Sequence, residues 1–278
     1  MAVTRRTALK ALAVGAAGAA TGSAVYGYAY ERRRLGVTRV ELPVSGLAAK
    51  LDGLRVGFLT DIHHGPFVPV EDVARAAALI VAEGPDLIVL GGDYANWQDT
   101  AYVGPCAEAL GTLRAPHGVY AVFGNHDDER ATHAAFTRRH IEVLADERTS
   151  RVIKGETLEI AGLRYWTRRM KEIIAVVGET TAPVLLIAHD PRRLIEAAKL
   201  SVPAVLAGHT HGGQVVLPVV GAIAARKFPV ISGVGHLEYT SIFVSRGVGT
   251  IVIPYRLDCP PEVAVVTLRA SGTLALLK

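Results

Sequence analysis

The sequence predicts an α/β fold in which two packed β-sheets are covered by helices on their outer faces. Short, almost continuously apolar runs in the first part of the chain are typical of strands buried on both faces. Helical patterns separate several of these runs, as they do in βαβ units. Further short strands, with antiparallel character, follow toward the end of the chain.

Five apolar runs are the predicted core strands, and they cover residues 54–60, 86–90, 118–123, 184–188 and 204–207. A helix is predicted over residues 70–83, where Val73, Ala77 and Ile80 share one face and a Gly-Pro pair ends the pattern. A second helix is predicted over residues 191–200, which begin with a proline. The later strands are predicted over residues 214–217, 241–245, 263–268 and 273–277.

Each core strand leads into polar residues that can bind a metal ion. Seven candidate ligands stand at these positions: Asp61, His63, Asp93, Asn125, His189, His209 and His211. Ligands collect outside the carboxyl ends of strands in such sheets, so we expect these side chains to lie together. Carboxylate, amide and imidazole groups suit manganese, iron or zinc. One tetrahedral ion needs about four ligands, so seven candidates predict two divalent ions that share a carboxylate. A centre of two such ions activates a water molecule and holds the oxygens of a phosphoryl group.

The motifs occur in an order that resembles the calcineurin-like metallophosphoesterase superfamily. The sequence reads DIH at 61–63, GGD at 91–93, GNHD at 124–127, a single histidine at 189 and GHTHGGQ at 208–214. The resemblance covers about residues 54–214. The segments 208–214 and 245–249, the latter reading SRGVG, resemble a bacterial branch whose members are exported or membrane-associated. The resemblance implies a four-layer α/β/β/α sandwich of two mixed sheets.

The resemblance also implies a role for each motif residue. The first metal ion would be held by Asp61, His63 and His211, and the second by Asn125, His189 and His209, with Asp93 bridging them. His126 would stay free of metal and would act on the leaving group, either as a general acid or as a cation beside the phosphoryl oxygens. Asp127 would orient a histidine ligand.

Two segments depart from the family pattern. Residues 188–191 read AHDP where the family reads more like SHNP, and the ligand is kept. Residues 164–171 read RYWTRRMK, which we interpret as the solvated start of a helix. The alternative is that its four cations, Tyr165 and Trp166 bind a phosphate or an anionic headgroup by charge and stacking. The remaining histidines, at 64, 117, 133, 140 and 236, are given no site role.

The amino terminus has the pattern of a targeting segment. Residues 4–10 read TRRTALK, which resembles a twin-arginine export motif, and about twenty uncharged residues follow before the cluster ERRR at 31–34. That length just spans a bilayer, so a cleaved leader and a retained anchor are both open. We therefore divide the chain into residues 1–34, a signal or anchor segment, and residues 35–278, a metallophosphoesterase domain.

The charge distribution supports this division. The first 34 residues contain six basic residues and one acidic residue, a net charge of +5, whereas the whole chain carries +4, which leaves −1 for residues 35–278. The basic pI of the chain therefore comes from the charges of the amino-terminal segment. Because the remaining domain is not basic, no nucleic-acid partner is expected. Only two cysteines occur, Cys106 and Cys259; they could pair outside the cytoplasm, but a disulfide framework is excluded.

Taken together, the motifs predict a hydrolase of phosphoric esters that needs two divalent metal ions. Its expected partners are a phosphate-ester substrate, the twin-arginine translocation machinery and a membrane surface. Two alternatives stay open: a pyrophosphatase acting on nucleotide-linked lipid precursors, and a non-catalytic scaffold of the same fold. A purple acid phosphatase is disfavoured, because the tyrosine expected three residues after Asp93 is Asn96. The sequence leaves open monoester or diester specificity.

Overall fold

The computed structural model describes residues 4–271. Within that range twelve strands form: β1 Gly36–Ser45, β2 Arg55–Leu59, β3 Leu87–Leu90, β4 Val119–Ala121, β5 Glu142–Val143, β6 Glu147–Ile153, β7 Glu156–Leu163, β8 Val184–Ala188, β9 Ala204–Ala207, β10 Gly233–Leu237, β11 Thr240–Val244 and β12 Glu262–Ser271. The α-helices over the same range are α1 Arg5–Val25, α2 Val70–Ala82, α3 Val103–Leu110, α4 Glu129–Thr137, α5 Met170–Val177 and α6 Leu194–Lys199.

The strands form two mixed sheets. The first has the order β1-β12-β2-β3-β4-β5, in which only the β12–β2 pair is antiparallel. The second has the order β10-β11-β9-β8-β7-β6, with antiparallel pairs at its two edges and a parallel centre. The carboxyl ends of β2, β3 and β4 therefore share one edge of the first sheet, and those of β8 and β9 share one edge of the second.

The sheets pack face to face, and helices cover their outer faces. Phe58 of β2 and Phe243 of β11 meet edge to face across the interior, with ring centroids 6.2 Å apart. Helices α2, α3 and α4 pack on the outside of the first sheet, and α5 and α6 on the outside of the second. This arrangement is the four-layer α/β/β/α sandwich of two mixed sheets, and the predicted fold class is confirmed.

Most predicted elements occur within one to three residues of their expected bounds. The helix predicted over 191–200 begins as a 3-10 turn, Pro191–Arg193, before α6. The strand predicted over 214–217 is wrong: only isolated bridges form there, from Val215 to Leu257 and from Leu217 to Gly221. The reason is that the φ angles of Gly212, Gly213 and Gln214 are all positive, so the chain turns rather than extends. The strand predicted over 273–277 lies outside the described residues.

The amino-terminal helix reaches the folded domain at its last turns. A 29-residue helical stretch, Arg5–Arg33, is long and apolar enough to cross a membrane, by length and composition alone. Its end packs on the loop that precedes β12. Ser23 Oγ lies 3.0 Å from the hydroxyl of Tyr255, and the buried carboxylate of Glu31 accepts a hydrogen bond of 2.5 Å from the Cys259 amide. The end of this segment is thus joined to the fold through specific contacts.

Candidate metal centre

The seven predicted ligands come from both sheets and follow the carboxyl ends of five strands. Asp61 and His63 follow β2, Asp93 follows β3, Asn125 follows β4, His189 follows β8, and His209 and His211 follow β9. The structure brings six of them together in two clusters of three, and within each cluster the possible ligand atoms lie within 4.8 Å of one another. The two strand edges therefore meet at one polar site between the sheets.

The first cluster contains Asp61, His63 and His211, all buried. His211 Nε2 lies 3.1 Å from His63 Nε2 and 3.3 Å from Asp61 Oδ1. Two imidazole nitrogens at that distance repel through their lone pairs unless a proton or a cation stands between them. A proton shared in an N–H···N hydrogen bond satisfies this contact, and a metal ion bound by both nitrogens would satisfy it equally.

The second cluster contains Asp93, His189 and His209, and it adjoins the first through Asp93. The Oδ2 atom of Asp93 lies 3.1 Å from His189 Nε2 and 3.5 Å from His63 Nε2. Its other oxygen, Oδ1, accepts a hydrogen bond of 2.8 Å from the His126 amide. One carboxylate oxygen thus faces ligand nitrogens of both clusters, while the other fixes the orientation of the side chain.

Burial favours the neutral form of three of the four candidate histidine ligands. It lowers the pKa of His63 to about 4 and that of His209 to about 3, and it lowers the pKa of His211 well below the usual value. A neutral imidazole has a lone pair available for a metal ion. For His189, burial opposes protonation, but the charges of Asp93 and Asp61 outweigh it and raise the pKa to about 10. The pocket between these two carboxylates therefore favours a positive charge.

The donor set fits divalent metal ions. The Nδ1 of His189 donates a hydrogen bond of 2.7 Å to the carbonyl oxygen of Gly91, which fixes the tautomer and points Nε2 at Asp93. Among the described residues, the side-chain oxygen Oδ1 of Asn125 is buried without a hydrogen-bond partner, whereas His189 Nε2 has Asp93 Oδ2 at 3.1 Å. Buried polar atoms are rarely left unpaired, so a ligand is expected for the Asn125 oxygen.

Most residues of the two clusters share an unfavourable backbone conformation. Five of the six clustered residues have a positive φ between 48° and 70°, in the left-handed region: Asp61, His63, Asp93, His209 and His211. Such conformations cost a non-glycine residue roughly 1–3 kcal/mol and concentrate at functional sites. Glycines make the tight packing feasible. A Cβ on Gly124 would lie 2.0 Å from Asp93 Oδ1, and one on Gly208 would lie 2.2 Å from Asp61 Oδ2.

His126 lies beside the clusters but outside both of them. Its buried ring meets the ring of His63 edge to face, with centroids 5.1 Å apart. On its other side the exposed Trp97 packs edge to face at 4.7 Å, and the Gln98 amide donates a hydrogen bond to the His126 carbonyl oxygen. Burial lowers the pKa of His126. Trp97 was not expected from the sequence, because a tryptophan four residues after Asp93 carries no recognisable signal.

Asp127 does not orient a histidine, so that expectation is wrong. Its Oδ2 accepts hydrogen bonds of 2.8 Å from the amides of Asp93 and Gly124, and its Oδ1 accepts one of 2.7 Å from the Tyr94 amide. The carboxylate therefore joins the turn after β3 to the turn after β4. A side chain with two acceptor oxygens can bind three backbone donors, and this fixes Asp93 and Asn125 relative to each other.

Helix α5 begins inside the segment 164–171, at Met170 with Arg169 as its N-cap residue, so the interpretation of this segment as a helix start is correct only for its last residues. Residues 164–169 instead form a loop at the edge of the site. The half-buried Tyr165 packs against His209 at 5.2 Å and against His189 at 6.0 Å between ring centroids. The guanidinium of Arg168 stacks on both Tyr165 and Trp166. The loop thus contributes aromatic and cationic groups to the rim beside the second cluster.

Residues 245–249, which resemble the bacterial branch, form backbone hydrogen bonds beside the first cluster. The amide of Gly249 donates to the carbonyl oxygen of Asp61 at 2.7 Å, and that of Val248 donates to the carbonyl oxygen of Thr60 at 3.2 Å. Gly247 has a φ of +71°, and a Cβ there would lie 2.5 Å from that of Asp61. The buried guanidinium of Arg256 donates to backbone carbonyls of this segment, including those of Gly247 and Gly249.

Residues without an expected site role have structural ones. His64 is buried, its Nδ1 donates to the carbonyl oxygen of Val68 at 2.8 Å, and its ring packs edge to face on Tyr102. Cys106 and Cys259 are buried free thiols and do not pair with each other. Cys259 Sγ donates instead to the carbonyl oxygen of His211, at 3.2 Å. It thereby contributes to the position of a candidate ligand.

Comparison with known proteins agrees with this geometry. A family model described as calcineurin-like phosphoesterase matches residues 54–213. A "Transmembrane protein with metallophosphoesterase domain" from Danio rerio is 32% identical over 88% of the chain, and the match spans 60% of that longer protein. "Phosphodiesterase YaeI" from Escherichia coli is 31% identical, over 77% of the chain and 82% of its own length. An "Uncharacterized metallophosphoesterase YkuE" from Bacillus subtilis is 28% identical over 92% of the chain and 94% of its own length.

Proposed function

Because the chain belongs to the calcineurin-like phosphoesterase family and is a metal-dependent phosphoesterase, we propose that it hydrolyses phosphodiesters at a centre of two divalent metal ions. The phosphodiester preference draws on the similarity to a relative named as a phosphodiesterase. The number of ions draws on the two clusters. The principal support is the position of Asp93 Oδ2, which lies within 3.5 Å of ligand nitrogens from both clusters.

The ligand roles follow from this arrangement. One ion would be held by Asp61, His63 and His211, and the other by His189 and His209, and Asp93 would be a ligand of both. Asn125 would be a further ligand of the second ion, because its oxygen has no partner among the described residues and the adjacent Gly124 packs on Asp93. Manganese, iron and zinc all suit this set of carboxylate, amide and imidazole donors.

Bound ions of this kind supply a water molecule activated at neutral pH and positive charge for the phosphoryl oxygens. The chain itself supplies the remaining groups. In the hydrolysis the oxygen of water bonds to phosphorus, the bond from phosphorus to one alcohol oxygen breaks, and a proton is transferred to that oxygen. We assign the donation of this proton to His126, because its ring borders the first cluster and belongs to neither cluster.

We further propose that the protein is exported by the twin-arginine route and stays attached to the membrane. The motif TRRTALK precedes an uncharged helix that is long enough to span a bilayer. The contacts of Ser23 and Glu31 with the loop before β12 favour retention of this helix, because its removal would leave the Cys259 amide without its acceptor. The site would then act outside the cytoplasm, close to the membrane surface.

The enzymatic part of the proposal is tested by removal and replacement of the metal. The full chain is treated with a chelator, dialysed and assayed with bis(4-nitrophenyl) phosphate in the presence of manganese, zinc or iron. We expect loss of hydrolysis after chelation and recovery with at least one metal. The same ions should not restore hydrolysis to Asp93→Ala, which lacks the shared ligand. Full activity of the chelated protein would contradict the proposal.

A further inference from the structure

An apolar groove opens directly beside two of the candidate ligands. His209 and His211 are among the residues that line it, and its volume is about 700 Å³. One wall contains Leu217, Ile223 and Phe228, and the opposite wall is the segment from Ile251 to Ile253. Phe228 packs edge to face on His209, with centroids 5.3 Å apart. The groove is therefore continuous with the site where the phosphate would bind.

The upper rim of this groove presents apolar side chains to the outside. Val252 is 74% exposed, Ile223 53% and Ile253 48% among the described residues. Isolated apolar residues are common on protein surfaces, but a contiguous apolar patch beside a cavity indicates an interaction site. Lys227 is the cationic residue of the lining, and Arg192 stacks on Phe228 at 5.4 Å. An apolar channel that ends at cations and metal ligands matches an amphiphile with a phosphate head.

The groove lies beside the amino-terminal helix, which indicates where the amphiphile comes from. Tyr255, two residues after the groove wall, contacts Ser23 through its hydroxyl group. Gly27 approaches so closely that a Cβ there would lie 2.3 Å from the Tyr255 ring. The Arg256 amide donates to the carbonyl oxygen of Gly27 at 3.3 Å. The helix and the groove wall are thus attached to the same short loop.

The contact points fall near the end of the uncharged part of the helix, close to where it would leave the bilayer. Residues 11–30 carry no charge and extend about 30 Å at 1.5 Å per residue, the thickness of a hydrocarbon core. Tyr26, Tyr28 and Tyr30 are exposed at its end, where tyrosines mark the boundary between lipid and water. Ser23 and Gly27 precede Tyr30. A loop attached to this end of the helix would bring its apolar rim, Val252 and Ile253, close to the membrane surface.

We propose that this groove binds the hydrocarbon chain of a membrane lipid whose phosphodiester is the substrate. The inference rests on the proposed function, because it assigns the substrate class of the same site. The lipid enters from the bilayer at the rim formed by Val252 and Ile253, its chain lies between Leu217 and Ile251, and its phosphate reaches His209 and His211.

The test compares two phosphodiesters that share one leaving group. The full chain in phosphatidylcholine nanodiscs is assayed with ethyl 4-nitrophenyl phosphate and with octyl 4-nitrophenyl phosphate. Both release nitrophenolate, so their chemical steps match and only the chain differs. The octyl ester has six more methylenes than the ethyl ester, and each methylene buried in the groove is worth about fourfold. Full burial of the six should therefore raise kcat/KM on the order of 10³-fold.

Substitutions in the groove separate chain binding from general partition into the lipid. Ile223→Asp and Val252→Asp should each reduce the octyl-to-ethyl ratio of kcat/KM by more than 10-fold, because a carboxylate opposes burial of a hydrocarbon chain. The matched control is Val152→Asp. Val152 is 69% exposed on β6 and does not line the groove, so its substitution should change neither rate.

The outcomes distinguish the two proposals. A wild-type ratio near one, with the ethyl ester hydrolysed, would overturn the groove assignment and leave the proposed function intact. If neither ester is hydrolysed with any metal, the proposed function is wrong and the groove is not a substrate site. If Ile223→Asp lowers the ratio and also converts a dimer into a monomer, the groove belongs to a second copy of the chain, and the lipid assignment is overturned.

Discussion

At the scale of single residues, the site combines ligands that sequence motifs predict with neighbours that they do not. The positions of His63, His189, His209 and His211 follow from strand ends that meet at one edge. Trp97 and Tyr165 come instead from loops, and their contacts with His126 and His209 depend on tertiary packing. Loop conformations carry no periodic pattern in the sequence, so these aromatic residues were not predictable as part of the site.

The role of His126 can be tested through its dependence on the leaving group. We expect His126→Ala to keep both metal ions, because its ring belongs to neither cluster and the alanine keeps the amide that donates to Asp93. Hydrolysis of an alkyl diester should slow by roughly 10²–10⁴-fold, the usual worth of a positioned proton donor. Hydrolysis of a nitrophenyl ester should slow less, since nitrophenolate leaves without a proton.

Two results would contradict this assignment. Loss of one metal ion from His126→Ala, measured by elemental analysis, would make His126 a ligand. An equal loss of rate for the alkyl and nitrophenyl esters would show that His126 acts as a charge beside the phosphoryl oxygens rather than as an acid.

At the scale of elements, the core strands were predictable because their apolar runs are short and bounded by glycine or polar residues. Strands β8 and β9 match the predicted bounds, and β2, β3, β4 and β11 differ by only a few residues. The edge strands β1, β6 and β10 were not predicted, since they are partly exposed and carry polar residues at many positions. Their pairing partners, rather than their own sequences, decide their structure.

The failed prediction over residues 214–217 has a functional consequence. The chain turns at Gly212–Gln214 because His211 must present its ring to Asp61 while the next residues form the groove wall. The side chain of Gln214 then fixes the opposite wall, accepting a hydrogen bond from the Ile251 amide and donating to the carbonyl oxygens of Ile251 and Ile253. The strand was predicted from the apolar residues of the run 214–217. The conformation is determined instead by the turn at the preceding glycines, Gly212 and Gly213.

The segment after β11 gives a prediction that a matched pair of glycines can test. Gly247→Ala should weaken metal binding by more than 10-fold, because the new Cβ would lie 2.5 Å from that of Asp61 and would displace this ligand. The control is Gly221→Ala. Gly221 has a similar φ of +76° but faces open space, so its substitution carries only the backbone cost, roughly 1 kcal/mol.

Metal titration and urea unfolding of both variants provide the measurement. Gly221→Ala should bind metal as the wild type does and lose a little free energy of unfolding. Gly247→Ala should lose more free energy of unfolding as well as metal affinity. Equal metal affinity in the two variants would show that the segment 245–249 does not position Asp61.

At the scale of the whole molecule, the amino-terminal helix relates the proposed export of the protein to the proposed position of its site near a membrane. Its end contacts the loop that also carries the groove wall, so an attached helix would hold the site near a membrane. The sequence predicted the span and its charged borders. It did not predict that Glu31 would be buried beside Cys259, because a contact between residues 228 positions apart leaves no local signal.

The export route is tested with a conservative double substitution. Replacing Arg5 and Arg6 together with lysine keeps the positive charge but removes the arginine pair, so we expect the protein to stay in the cytoplasm in a folded, metal-binding form. Cell fractionation and a protease-protection assay measure its location. Efficient appearance of the double variant outside the cytoplasm would rule out the twin-arginine route.

The central claim is that the two clusters, joined by Asp93, hold two divalent metal ions. Elemental analysis of the full chain, purified without chelator and reconstituted with manganese or zinc, tests it most directly. We expect close to two ions per chain in the wild type and a clear deficit in Asp93→Ala, because that residue faces both clusters. One ion per chain, or none, in the reconstituted wild type would contradict the claim.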